Sequence, residues 1–235
     1  MLELRNIAKA YASGRKVFAG LSYVLDNGAY VAIMGESGVG KSTLLNLIAG
    51  LDAPDTGEIL IDGTAISSLD DDAATKLRRK ELGFVFQAFH VLPHLTLKQN
   101  VALPLLLNGI QVRFASARAE QMLAALGLHG RGEHFPRQLS GGELQRVAIG
   151  RALVHHPKLI LADEPTGNLD PDTAQEILML MRAEIKDNGG SGILVTHSRA
   201  AAATTDRVLL LTKDGLRPLP VNSAGQPQVD STGDS

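Results

Sequence analysis

One glycine-rich octapeptide, set between two different apolar patterns, constrains the fold of this chain more than any other feature. Tyr30-Val31-Ala32-Ile33-Met34 is a nearly unbroken apolar run, the pattern of a strand buried on both faces of a parallel sheet. Gly35-Glu36-Ser37-Gly38-Val39-Gly40-Lys41-Ser42 follows, and Ser42 to Ala49 then reads as a helix stopped at Gly50. The octapeptide fits G-x-x-x-x-G-K-[ST], whose glycines let backbone N–H groups close around phosphate oxygens at the start of the next helix. Strand, glycine loop and helix together are the context that this motif requires.

The rest of the chain is consistent with that start. Residues 2–7, 17–25 and 57–61 are strand-like, with Asp26-Asn27-Gly28 and Asp62-Gly63 as turn signals. Residues 70–80 open with three aspartates and close with Lys76, Arg78, Arg79 and Lys80, which complements a helix dipole; the run reads as a solvated helix. From about 88 to 156 the pattern is mostly helical, punctuated by Pro93, Pro104 and Pro136. Leu159–Ala162 and Gly192–Val195 are again buried strands, with a helix over 171–186 between them. Alternating strand and helix implies an α/β parallel sheet covered by helices. After Leu216 the composition becomes Pro-, Ser- and Gly-rich, as in a disordered tail.

Composition narrows the class. With 23 Lys and Arg against 25 Asp and Glu, the net charge is −2, so no nucleic-acid partner is expected. There are no cysteines, which excludes disulfides and thiolate metal sites. His155 and His156 are adjacent and diverge on a helix, so they do not point to a metal either. The first residues alternate like a half-buried strand and not like a signal peptide, and no run approaches the ~18 apolar residues of a membrane span. A membrane anchor would have to come from a partner.

Two further motifs sharpen the reading. Leu139-Ser140-Gly141-Gly142-Glu143 opens a helix whose Leu144, Val147 and Ala148 follow helical spacing, and its N-terminal N–H groups form a second anion site. Ser140 with Glu143 also fits a plain capping box, and both readings are compatible. Asp163-Glu164 ends the strand 159–162 at the carboxyl edge of the sheet, where open α/β folds bind ligands. The order phosphate loop, L-S-G-G-E, Asp-Glu resembles the ATP-binding cassette (ABC) ATPases over about residues 2–213.

That resemblance implies a P-loop NTPase (RecA-like) α/β fold. A parallel-sheet core would carry an antiparallel β subdomain and an inserted α-helical subdomain over about 88–156, within a domain spanning 1–215, with 216–235 as the tail. It implies ATP and Mg²⁺ as ligands. Lys41 would reach the β- and γ-phosphates, Ser42 and Asp163 would hold Mg²⁺, and Gly35–Gly40 with Thr43 would cradle the nucleotide. Glu164 would polarise the attacking water. Gln87 matches a glutamine that contacts Mg²⁺ and signals to the partner, and His197 a histidine that senses the γ-phosphate. Tyr11 matches the aromatic that stacks on adenine. Taken alone, Gln87 and His197 read as structural polar residues and Tyr11 as core. Asp170 matches a dimer-interface aspartate and equally an N-cap before Pro171. Ser198 departs from the Asp found there in many members. In the family, residues 139–143 of one subunit close over ATP held by 35–42 of the other, which implies a homodimer on ATP binding.

Ala162–Asp170, with Val85-Phe86-Gln87 and Asn100–Pro104, looks like one branch, the ATPases of lipoprotein-releasing and macrolide-exporter systems and the cell-division cassette FtsE. The expectation is an ATPase that energises a membrane transporter or mechanical exporter. It would be cytoplasmic and peripheral on the inner membrane face through an integral membrane permease subunit. The alternative is a cassette regulating cell-wall hydrolases through a membrane partner without transport. Residues 87–107 are unusually apolar, with Phe89, Val91, Leu92, Leu95, Leu97, Val101 and Leu103, and Pro93 and Pro104 argue against one uninterrupted buried helix. They read either as a groove for a helix of the membrane partner or as filling of the helical subdomain.

Overall fold

A computed structural model describes residues 2–11 and 16–219. In chain order the elements are β1 (Leu2–Ala10), β2 (Lys16–Leu25), β3 (Tyr30–Met34), α1 (Lys41–Ile48), β4 (Thr56–Ile61), β5 (Thr64–Ala65), α2 (Asp71–Glu81), β6 (Leu82–Phe86), α3 (Leu97–Leu107), α4 (Val112–Ala125), α5 (Gly141–Leu153), β7 (Leu159–Asp163), α6 (Pro171–Asp187), β8 (Ser191–Val195), α7 (Arg199–Ala202), β9 (Arg207–Thr212) and β10 (Gly215–Pro218). They build a four-stranded antiparallel sheet ordered β2-β1-β4-β5 and a six-stranded sheet ordered β10-β9-β3-β8-β7-β6. Within the latter β9, β3, β8, β7 and β6 run parallel, and β10 returns antiparallel to β9.

The unbroken apolar runs are explained by two cores on opposite faces of the parallel sheet. Val31, Ile33, Leu159 and Leu161 join the cluster shared with the antiparallel sheet and α1. Tyr30, Ile160 and Ala162 join the cluster formed with α3 to α6, which contains Leu97, Val101, Leu123 and Ile177. A strand with a core on each side needs apolar residues at every position, so the ordinary period of two disappears.

Some boundaries differ from the sequence reading. β1 continues to Ala10 because it pairs with β2 on one edge and β4 on the other, which outweighs its polar second half. Residues 216–218 belong to β10, paired with Leu209–Leu211, and Leu219 packs on Ala32, Met34, Ala202 and Val208. Pro218 is tolerated there because the strand is an edge. Residues 216–219 of the expected tail are therefore part of the fold, and the remainder, 220–235, lies outside the described residues. The helical stretch expected over 88–156 is α3, α4 and α5 with irregular connections, and α3 passes through Pro104.

Candidate functional site

β3 delivers the glycine loop to the carboxyl edge of the parallel sheet, and Gly40 starts α1 at φ 113°. A Cβ on Gly40 would lie 2.4 Å from Val17 Cγ1 and 3.0 Å from Phe18 Cζ, so only glycine fits the turn. Lys41 is buried, and its Nζ donates to the carbonyls of Gly35 (2.8 Å) and Glu36 (2.9 Å). Burial lowers its pKa, against the raising influence of Glu164 and Asp163. The next residue, Ser42, donates its hydroxyl to Asp163 Oδ2 at 2.9 Å. Two hard oxygens, one anionic, thus converge at the start of α1.

Asp163 closes β7, and Glu164 turns away from it at φ 45°, a left-handed conformation uncommon for glutamate. Its N–H donates to Val195 O at 2.9 Å, which ties the turn to the end of β8. Thr196 Oγ1 donates to Glu164 Oε2 at 3.1 Å. Glu164 Oε1 is buried with no hydrogen-bond partner, and His197 Nε2 stands 3.6 Å from it. One carboxylate oxygen is oriented while the other remains an unused acceptor, the arrangement a general base needs before its substrate arrives.

A cavity of about 330 Å³ brings these groups together, lined by Tyr11, Lys41, Ser42, Asp163, Glu164 and His197 with Ser37, Gly38, Gly40 and Thr43. Tyr11 is 44% exposed, which rules out the reading of a core aromatic. Its hydroxyl meets Thr43 Oγ1 at 3.0 Å, leaving a ring at the cavity mouth able to stack on a planar base. Gly35, Glu36 and Val39 line a neighbouring cavity beneath β9 instead.

Residues 139–143 are not among those lining the nucleotide cavity. Ser140 caps α5, its side chain accepting from Glu143 N (3.3 Å) while Glu143 accepts from Ser140 N (2.9 Å). Hydrogen bonding from Ser140 holds the Glu143 pKa below its ordinary value, and Arg131 adds an ion pair at 3.0 Å. A Cβ on Gly142 would lie 2.6 Å from Thr173 Cγ2, so its absence lets α5 and α6 meet at their first turns. Asp170 caps α6 by accepting from Thr173 N at 3.0 Å, and it too lies outside the cavity lining. Gln87 also lies outside it: Gln87 Nε2 donates to Asn168 Oδ1 (3.3 Å), and Asn168 Nδ2 donates to Gln87 O (3.2 Å).

Sequence reasoning missed Thr196, Asn168, Val17 and Arg131. Asn168 lies inside the segment Ala162–Asp170 but carried no role there, and a threonine beside His197 belongs to no motif, so neither was assigned to the site.

The family model for ABC transporters matches residues 18–167. The lipoprotein-releasing system ATP-binding protein LolD of Xanthomonas campestris pv. campestris is 46% identical over 222 residues, covering 93% of each chain. The protein of that name from Cereibacter sphaeroides is 45% identical over 215 residues, 90% of this chain and 96% of that one. Among solved structures, a dimeric ATP-binding cassette in a post-hydrolysis state bound to ADP and Pi superposes with a TM-score of 0.83 at 39% identity, covering 93% of this chain and 97% of that chain. These relatives do not favour the cell-wall alternative. The chain belongs to the ABC transporter family, as an ATP-hydrolysing, nucleotide-binding subunit that energises a membrane transporter.

Proposed function

We propose that this subunit powers the release of lipoproteins, the activity in the names of its relatives, through an integral membrane permease that holds it on the cytoplasmic face of the membrane. Among the described residues no helix is long and apolar enough to cross a membrane. The observation that carries the catalytic reading is the juxtaposition of Ser42–Asp163 with Glu164 and His197 in one cavity, Glu164 being held from behind by buried Thr196.

Lys41 exchanges the carbonyls of Gly35 and Glu36 for β- and γ-phosphate oxygens, and the loop N–H groups cradle the remainder. Mg²⁺ fits the site: the Ser42 hydroxyl and the Asp163 carboxylate converge at the start of α1, the hard-oxygen set of an ion held by one or two carboxylates, phosphates and water. Ser42 and Asp163 would hold it, with Gln87, just after β6, as a further candidate ligand, and the bound ion would supply charge neutralisation at the phosphates. Glu164 accepts a proton from the attacking water at Oε1, kept in place by Thr196 and beside His197, which reads the γ-phosphate. Tyr11 stacks on the adenine. Ser140, Gly141, Gly142 and Glu143, with Asp170, complete the nucleotide site of a second copy.

The permease helix sits in an apolar groove of about 400 Å³ between β6, α3 and α5, lined by Leu82, Phe84, Phe86, Leu92, Leu103 and Leu107. Phe86 precedes Gln87, so groove and nucleotide site share a strand end. The apolar residues of 87–107 divide between the two sequence readings: Leu97 and Val101 are fully buried in the helical core, whereas Leu92 and Leu103 face the groove. Leu92→Asp with Leu107→Asp, both exposed, is expected to abolish co-purification with the membrane subunits while the purified variant melts as the parent does. Undiminished capture would place the docking site elsewhere.

A further inference from the structure

The same groove contains three guanidiniums that the apolar lining does not need. Arg78 and Arg79 reach it from α2, and Arg151 from α5. Each one's hydrogen bonds go to neutral acceptors. Arg78 donates to Gly50 O (2.8 Å) and Thr75 Oγ1 (2.7 Å), Arg79 to Leu107 O (3.1 Å), and Arg151 to His90 O (2.5 Å) and Phe89 O (3.1 Å). None of the three forms an ion pair among the described residues. Asp72, an acid on α2 whose charge Arg79 favours, is itself bonded to Lys76. Arg79 is the least satisfied, since its Nε is buried with no hydrogen-bond partner.

A cationic donor at an apolar wall is costly to desolvate without a counter-charge, so covering the groove with a wholly apolar helix would worsen an existing deficit. A carboxylate removes it, because the guanidinium fork matches two carboxylate oxygens and leaves the apolar walls for flanking side chains. Resting on the reading of this groove as the permease's docking site, we propose that the docking helix presents one Asp or Glu on an otherwise apolar face. That carboxylate pairs with Arg79, and Arg78 and Arg151 supply the surrounding positive field. The charge selects which cytoplasmic helix of the partner is accepted and fixes its register, a discrimination that leucine contacts alone do not provide.

The test uses the whole chain co-expressed with its membrane subunits. Arg79→Gln is expected to capture about tenfold less membrane subunit, the consequence of losing one partner of a covered charge pair. Arg79→Glu should capture less still, and Arg79→Lys, which keeps the charge but not the fork, should fall between the parent and Arg79→Gln. Changing one acid of the partner's cytoplasmic helices to Lys should restore capture by Arg79→Glu and weaken capture by the parent. Melting of each purified chain reports folding, and if Arg79→Glu does not fold, the Gln and Lys pair decides. Parent-level capture by Arg79→Gln and Arg79→Glu overturns the charge pairing. If Leu92→Asp with Leu107→Asp still loses the partner in that case, the groove stands; if it does not, both readings fall. Failure of every acid-to-Lys change to rescue also overturns the pairing. Binding of the parent alone to phosphatidylglycerol vesicles, lost in Arg79→Glu while capture persists, would assign the arginines to lipid and overturn it as well.

Discussion

Adjacent carboxylates acquire different tasks from a single backbone step. Asp163 ends an extended strand and meets Ser42, whereas Glu164 occupies a left-handed turn and turns to Thr196 and His197. The pairing of the two acids was legible in the sequence because they close an apolar strand at a ligand-binding edge. The positive φ was not, since it is imposed by the bond from Glu164 N to Val195 O, between strands thirty residues apart. Glu164→Gln preserves shape and Thr196's hydrogen-bond acceptor but removes the base. Turnover is expected to fall by about 10²–10⁴-fold, the usual contribution of a positioned acid or base, while ATP binding persists. Phosphate release and nucleotide binding on one preparation check this, and near-normal turnover would remove Glu164 from the mechanism.

Single elements show where local pattern is overruled by packing. Pro104 reads as a helix breaker, yet α3 continues to Leu107, and buried Asn100 supports its start by donating to Leu92 O, Leu95 O and Thr96 O. The acid-to-base run over 70–80 does form a helix, capped by Asp70, but its basic end is not merely solvated because Arg78 and Arg79 turn into the groove. Charge order along a helix is visible in sequence; what a neighbouring sheet leaves open beneath it is not. Elsewhere α6 is fastened to the start of β9 and to β3 by Asp206, which accepts from Arg182 (2.7 Å), Lys186 (2.5 Å) and Tyr30 N (2.8 Å). Burial disfavours that carboxylate's charge, but these three donors together hold its pKa below the ordinary 3.8. A depressed carboxylate contributes stability above its unfolded value and loses it as pH falls through the folded one. Asp206→Asn should therefore cost about 1.5–3 kcal/mol near neutrality, as for hydrogen bonds to charged groups, with a smaller cost in acid. Urea unfolding at several pH values measures it, and an equal deficit at all pH would show that charge is not the cause.

For the molecule as a whole, the alternation of buried strands and helices made the doubly covered parallel sheet legible, and the ordered motifs indicated the family. What no single-chain pattern contained was the separation between the two phosphate-binding helix ends, since Ser140–Glu143 lie outside the cavity that holds Lys41 and Glu164. In the proposed dimer that gap closes. With Glu164→Gln slowing hydrolysis, light scattering should report a dimer with ATP and Mg²⁺ and a monomer with ADP, and adding Ser140→Arg should abolish the dimer by placing a bulky cation in the γ-phosphate approach. The same separation has a genetic consequence. Lys41→Ala spoils the loop half of each composite site and Ser140→Arg spoils the other half, so each purified variant alone is expected to be inactive. In a mixed pair one site inherits both defects and the other inherits neither, because its loop comes from one parent and its capping serine from the other. Mixing two dead proteins should then restore phosphate release, in proportion to the hybrids formed.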